Sequence, residues 1–207
     1  IGELANMDIT CQGTSGPVVL LLHGFPDFAY GWTKVMRKLA KDHIVIAPDQ
    51  RGYHKTSGPD DVDGYKIDKL VGDIEALVKR ISATEDGLAA PGKLTVVGHD
   101  WGGAIAWTFG HKHPDLLSKL VIINGPHPDV FIREYNENPE QKNASAYMAF
   151  FSTPGSEGAL MANEHKLLVD AFGDALLELD KLKYRELFAA SKLTRMLNWY
   201  RANIDTT

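Results

Sequence analysis

The stretch that most constrains the fold of this chain is Gly-His-Asp-Trp-Gly at residues 98–102. It follows an apolar, β-branched run at residues 94–97 and leads into small residues that begin at Gly103. This order predicts a strand, a very tight turn and a helix, which is the shape of a nucleophile elbow with Asp100 at its apex. Small neighbours are needed because such a turn strains its middle residue and brings backbones close together.

An aspartate at the apex of the turn points to nucleophilic chemistry. A carboxylate with a reference pKa of about 3.9 is ionised at neutral pH, so Asp100 can attack an electrophilic carbon directly and form an ester. Suitable targets are an epoxide carbon or a carbon that carries a halide. The alternative is that Asp100 caps the helix that begins at Trp101, since aspartate is a preferred N-cap residue.

Composition narrows the class of protein. The chain has 207 residues, of which 44% are hydrophobic, as expected for a globular protein with a sizeable core. The net charge of -5 is mixed in sign, and without a cluster of lysine or arginine we expect neither a nucleic-acid nor a membrane partner. The N-terminal residues lack a signal-peptide pattern, so the expected location is cytoplasmic. No ligand spacing indicates a metal, and no cofactor is expected.

Apolar runs alternate with helical periodicity over the first 125 residues. Strands are predicted at 17–22, 43–47, 93–97 and 118–123, and helices at 31–41, 66–81 and 102–110. This alternation is typical of an α/β protein with a mostly parallel sheet and helices on both faces. Active sites in such sheets gather at the carboxyl ends of the strands.

The pattern changes near Val130, after which no strand-like run appears. Helices are predicted at 143–151, 157–160, 164–172, 174–178, 180–190 and 193–202. We therefore predict an N-terminal core at residues 1–128 and a helical cap at residues 129–207, set over the carboxyl edge of the sheet.

Four motifs together carry a family resemblance. They are His-Gly-Phe-Pro at 23–26, Asp-Gln-Arg-Gly-Tyr at 49–53, Gly-His-Asp-Trp-Gly-Gly at 98–103 and Asn-Gly-Pro-His-Pro at 124–128. In this order and spacing they resemble the α/β-hydrolase superfamily, specifically its epoxide hydrolase and haloalkane dehalogenase branch. The resemblance extends over residues 16–202 and implies an α/β-hydrolase fold with a helical cap.

The resemblance also implies roles for individual residues. Asp100 matches the nucleophile, and the backbone N–H groups of Phe25 and Trp101 match an oxyanion hole, which would stabilise the charge that forms when water attacks the ester. Tyr147 and Tyr200 match the two cap tyrosines that hydrogen-bond the epoxide oxygen and donate a proton to it. The alternative is that each tyrosine is an amphipathic residue of the cap core with a wetted hydroxyl.

The resemblance favours an epoxide over a halide as the substrate. Halide release would need N–H donors, for which Trp101 and the cap residue Trp199 are candidates, whereas Phe25 offers only its backbone. We expect Trp199, Phe150 and Met148 to contact the substrate. The expected partners are a small apolar epoxide and water, and a homodimer is left open.

Other polar residues of the motifs are expected to be structural. His23 and His127 are interpreted as hydrogen-bonded scaffold, and Arg51 as a bridge between loops. Asp49 is interpreted as structural, with a role as catalytic acid as the minor alternative.

The family's mechanism also uses a water-activating histidine and an acid that orients it, and in the family both follow the cap. The sequence has no candidate for either between Tyr200 and Thr207, so we expect the C-terminal core strands to be absent from this chain. Three functions therefore stay open: an epoxide hydrolase, a haloalkane dehalogenase, and a non-catalytic protein of the same fold that binds a small apolar ligand.

Overall fold

The computed structural model describes residues 7–82 and 94–204. Over these residues, five strands form one sheet in the order β1-β3-β2-β4-β5. The strands are β1 (Ile9–Gln12), β2 (Val18–Leu22), β3 (Ile44–Pro48), β4 (Leu94–His99) and β5 (Leu117–Ile123). Strand β1 is antiparallel to β3, and all other pairs are parallel. The predicted mostly parallel sheet is confirmed.

The central strands are continuously apolar because both faces of the sheet are covered. All residues of β2 and β3 are buried, and Leu20 pairs with Ile46 on one side and with Val96 on the other. Val18, Leu20 and Leu22 belong to a cluster on the face covered by α2 (Ile67–Ser82) and α3 (Trp101–Lys112).

The opposite face of the sheet is covered by the first helix. Val19 and Leu21 pack with Trp32 and with Met36 of α1 (Thr33–Leu39). Because alternate side chains of one strand point to opposite faces, this split confirms the prediction of helices on both sides of the sheet.

Every described element after β5 is helical. The helices are α4 (Pro128–Glu137), α5 (Pro139–Ala144), α6 (Ala146–Ser152), α7 (Ser156–Asp170), α8 (Glu178–Ala189) and α9 (Leu193–Asn203). Buried residues of α8 and α9, including Phe188 and Trp199, join the same apolar cluster as β2 and β4. The helical region is therefore packed onto the core through a continuous apolar contact. Among the described residues, no helix is both long and apolar enough to cross a membrane.

The structure differs from the prediction in several places. Strand β1 and helix α4 were not predicted, and the helix predicted at 143–151 corresponds mainly to α6, because α5 ends at Ala144. The helix predicted at 174–178 is replaced by a short 3-10 helix at Gly173–Ala175. The break predicted between the helices at 157–160 and 164–172 is present within α7, where residues 163–165 adopt left-handed backbone angles with φ between 50° and 62°. The predicted strand residue Lys93 lies outside the described residues.

Candidate active site

Asp100 occupies the turn between β4 and α3 in a conformation that side-chain-bearing residues rarely adopt. Its φ is 53° and its ψ is -121°. The neighbouring glycines are required by close contact, since a Cβ on Gly98 would lie 2.2 Å from the carbonyl oxygen of Gly102. A Cβ on Gly102 would lie 2.3 Å from the carbonyl oxygen of Leu22. The tight turn predicted from the glycines is present.

The carboxylate of Asp100 is held by backbone donors from two elements. The side chain forms no capping hydrogen bond with α3, so the interpretation of Asp100 as a helix cap is wrong. Instead, the N–H of Phe25 donates to Oδ1 at 2.8 Å. Burial raises the pKa of Asp100 above its ordinary value, and the N–H groups of Phe25 and Trp101 lower it by less.

The two N–H groups that were predicted as an oxyanion hole therefore both face Asp100. Phe25 reaches it because Gly24 lets the loop after β2 approach closely: a Cβ on Gly24 would lie 2.3 Å from the Cβ of Asp100. Trp101 is the first residue of α3, where backbone N–H groups lack partners within the helix. Donors that hold a carboxylate oxygen in this way are placed to hold a developing oxyanion on the same group.

Tyr200 of α9 packs against the aromatic side chains of the two residues that supply these N–H groups. It is 2% exposed, and its ring lies edge-on to Trp101 at 5.2 Å and to Phe25 at 5.4 Å between ring centroids. Burial raises the pKa of Tyr200 well above its ordinary value, and the charge of Asp100 adds to this rise. The phenol is therefore protonated at neutral pH and lies in the electrostatic field of the candidate nucleophile.

Tyr147 of α6 approaches the same carboxylate from another helix. Its side chain is 45% exposed, yet its partial burial and the charge of Asp100 raise its pKa to about 12. Its ring lies 5.6 Å from that of Phe151, which in turn lies 5.0 Å from the ring of Tyr200. The structure thus brings the two tyrosines, 53 residues apart in the chain, to one aromatic wall beside Asp100.

Phe151 is a residue of this wall that the sequence analysis missed. Its ring centroid lies 4.9 Å from that of Phe25, 5.0 Å from Tyr200 and 5.6 Å from Tyr147. A signal was available, because Phe151 follows Tyr147 by four residues and so shares its face of a helix. Phe150, which was predicted instead, is 42% exposed and contacts Phe151 at 5.8 Å.

Trp199 is placed differently from one of its predicted roles. It is 1% exposed, and its indole N–H donates to the carbonyl oxygen of Arg51 at 3.0 Å. The suggestion that Trp199 supplies an N–H to a halide is therefore wrong, since that proton is already bonded. Its ring centroid lies 6.0 Å from that of Trp101 and 5.6 Å from that of Tyr53, edge-on to both. Met148 is partly buried and packs against the main apolar cluster.

The remaining motif residues form scaffold contacts, as expected. Nε2 of His23 accepts the N–H of Gln50 at 3.0 Å, and Nδ1 lies 3.0 Å from the carbonyl oxygen of Gly24. The guanidinium of Arg51 bonds both carboxylate oxygens of Asp73, at 2.7 and 2.6 Å. It also donates to the carbonyl oxygen of Gly64 at 2.9 Å, and so bridges two loops and α2.

Asp49 is likewise structural, since its Oδ1 accepts the N–H of Ala29 at 2.8 Å. Together with Asp8 and His54 it also forms the one group of potential metal ligands found in the described part of the chain. Nδ1 of His54 lies 3.1 Å from Asp49 and 3.5 Å from Asp8, so a hydrogen bond between these side chains already accounts for the arrangement.

Comparison with known proteins places this site in a family. Residues 17–153 match the alpha/beta hydrolase fold family. The chain is 40% identical over 195 residues to the AB hydrolase superfamily protein YfhM of Bacillus subtilis (strain 168), covering 90% of this chain and 65% of the relative. It is 37% identical over 157 residues to epoxide hydrolase 4 of Homo sapiens, covering 75% of this chain and 41% of the relative.

A solved structure agrees with these relatives. The crystal structure of an epoxide hydrolase of Bacillus megaterium in complex with an inhibitor is 31% identical and has a TM-score of 0.85. The match covers 98% of this chain and 70% of that chain. This chain therefore belongs to the α/β-hydrolase superfamily, in its epoxide hydrolase branch. It spans less than two thirds of the length of the curated relatives named here.

Proposed function

We propose that this chain carries the nucleophile and proton donors of an epoxide hydrolase, which opens a small apolar epoxide to a vicinal diol. One observation carries the proposal. Asp100 accepts the N–H of Phe25 at 2.8 Å, and its charge raises the pKa values of the phenols of Tyr147 and Tyr200. The relatives that are named epoxide hydrolases support the substrate class.

In the first half-reaction, a carboxylate oxygen of Asp100 attacks an epoxide carbon, and the ring C–O bond breaks toward the epoxide oxygen. Tyr147 and Tyr200 hydrogen-bond that oxygen, and one of them transfers its proton to it, which leaves a hydroxyalkyl ester on Asp100. The raised pKa values keep both phenols protonated before the reaction. Proton transfer to the developing alkoxide is favourable, because an alkoxide is more basic than a phenolate.

In the second half-reaction, water attacks the ester carbonyl of Asp100. The N–H groups of Phe25 and Trp101 stabilise the oxyanion, and its collapse expels the alkoxide, which takes up a proton and leaves as the diol. The carboxyl group that remains gives its proton back to the tyrosine phenolate, which restores the carboxylate of Asp100. A base must take a proton from the attacking water and pass it to the departing alkoxide, and the family resemblance implies a histidine oriented by an acid for this role.

The two alternatives fit the geometry less well. A haloalkane dehalogenase needs N–H donors for the halide, and the indole N–H of Trp199 is bonded to Arg51, which leaves only the indole of Trp101 from the predicted pair. A non-catalytic binding protein would have no use for a strained Asp100, whose conformation carries a cost of about 1–3 kcal/mol.

The proposal can be tested by mass spectrometry after incubation with styrene oxide and, separately, with 1-bromobutane. The expected result is an adduct of epoxide mass on Asp100, or diol, and neither product in Asp100→Ala. Asp129→Ala is the matched control, because Asp129 is a solvent-exposed carboxylate of α4. Bromide release without an epoxide reaction would support the dehalogenase instead, and no reaction with either compound in a folded protein would overturn the proposal.

The tyrosines are tested by the rate of ester formation. The variants Tyr147→Phe and Tyr200→Phe are expected to slow it by about 10²-fold or more, the usual contribution of a general acid. Tyr135→Phe is the control, since Tyr135 is a buried tyrosine of α4. Equal rates in all three variants would remove the tyrosines from the mechanism while leaving Asp100 in place.

A further inference from the structure

A cleft opens between the core and the helical region, apart from Asp100. It has a volume of about 180 Å³. Its core side is formed by Tyr30, which precedes α1, and by Lys34 and Arg37 of α1. Its other side is formed by Leu176, which precedes α8, and by Asp180 and Tyr184 of α8. None of the proposed catalytic residues lines it.

The charges in this cleft do not cancel. Asp180 is the one acid among its lining residues. Both of its carboxylate oxygens already have partners, because one accepts a hydrogen bond from the Tyr30 hydroxyl at 2.8 Å and the other pairs with Lys34 at 3.1 Å. These contacts hold its pKa below the ordinary value. Arg37, which is always charged, has no ion pair or hydrogen bond with any residue that the structure describes. One positive charge of the cleft is therefore without a counter-charge.

Tyr30 on the core side and Tyr184 on the other side make part of the cleft aromatic. The rings of Tyr30 and Tyr184 lie edge-on at 5.6 Å between centroids, beside the apolar side chain of Leu176. Tyr184 is 3% exposed, and its hydroxyl donates to Asp27 at 2.5 Å, so its ring is fixed in position. A fixed aromatic surface next to a free guanidinium matches a ligand with an aromatic body and a carboxylate, which arginine can bind with two parallel hydrogen bonds.

We propose that this cleft is a binding site for a small aromatic carboxylate. The carboxylate pairs with Arg37, and the ring of the ligand packs against the partly exposed Tyr30 and Leu176. Because the cleft is lined from both sides, a bound ligand ties α8 to α1. The site is independent of the epoxide chemistry proposed for Asp100.

Isothermal titration with benzoate tests the proposal, with benzamide as the neutral compound of the same shape. We expect saturable binding of one benzoate per chain and about fivefold weaker binding of benzamide, the upper range for an exposed charge pair. Arg37→Gln should weaken benzoate binding by about the same factor. Lys38→Gln should leave it unchanged, because Lys38 is the next basic residue of α1 and does not line the cleft.

Two further variants separate this site from the first one. Benzoate should bind equally well to Asp100→Ala, whereas Leu176→Trp should abolish binding by filling the cleft. Loss of binding in Asp100→Ala, equal affinity of Arg37→Gln and the wild type, or no binding of benzoate at all would overturn the proposal. Since epoxide adducts are measured separately, either proposal can fail without the other.

Discussion

Replacing Asp100 by glycine rather than by alanine tests whether the turn stores backbone strain. Its φ of 53° and ψ of -121° are accessible to glycine, while a residue with a Cβ carries a strain of about 1–3 kcal/mol. Glycine itself loses about 0.5–1 kcal/mol through the greater freedom of the unfolded chain. Both variants lose the carboxylate and its bond to Phe25 equally, so we expect Asp100→Gly to be more stable than Asp100→Ala by about 1 kcal/mol.

The measurement is urea unfolding at pH 7, followed by circular dichroism. The matched control compares Lys183→Gly with Lys183→Ala, since Lys183 lies within α8 and is 45% exposed. At a helix-interior position the glycine variant should be the less stable of the two by about 1 kcal/mol. The sign of the difference should thus reverse between the two positions. If glycine is less stable than alanine at residue 100 by as much as at residue 183, the turn is not strained and the reasoning is refuted.

Three other outcomes are expected. Arg51→Ala should lower the free energy of unfolding by about 3–5 kcal/mol, because it leaves the buried carboxylate of Asp73 unpaired; a loss below about 1 kcal/mol would contradict a buried ion pair. Tyr184→Phe removes a donor from Asp27, whose pKa burial already raises. The pKa of Asp27 should rise further in this variant. The loss of stability should therefore be greater at pH 7, where the carboxylate is charged, than in acid. Equal losses at both pH values would argue against the hydrogen bond. Ester formation on Asp100 should fall in acid with a midpoint above 3.8, the ordinary value, since burial raises its pKa; a midpoint at or below 3.8 would contradict this.

The parallel core could be predicted because its signals are local. Each central strand is an uninterrupted apolar run, such as 18–22, and each is followed by a helix with its own periodicity. Strand β1 has no such signal: its burial alternates over only four residues, and its pairing with β3 joins segments more than 30 residues apart. Helix α4 did carry local signals, a proline at its first position and His127 as its cap, which the sequence analysis did not use.

The part of the candidate site that belongs to the sequence motifs was predictable. Asp100, Phe25 and Trp101 belong to turns whose geometry follows from neighbouring glycines. The hydrogen-bond partners of Trp199 and Tyr184 could not be predicted in this way. Trp199 bonds to Arg51, 148 positions away, and Tyr184 bonds to Asp27, 157 positions away. Such long-range pairs depend on how the helical region packs against the core, and no local sequence pattern indicates that packing.

The crowding around Gly24, Gly98 and Gly102 affects how this chain can change. Saturation mutagenesis should find these three positions nearly intolerant of substitution, although none of them carries a functional group, because any Cβ there meets other atoms at 2.2 or 2.3 Å. Intolerance at these positions would report crowding of the backbone rather than chemistry. Around the half-exposed Tyr147 there is more room, so variants with altered substrate preference should be sought in the helices and not in the turn.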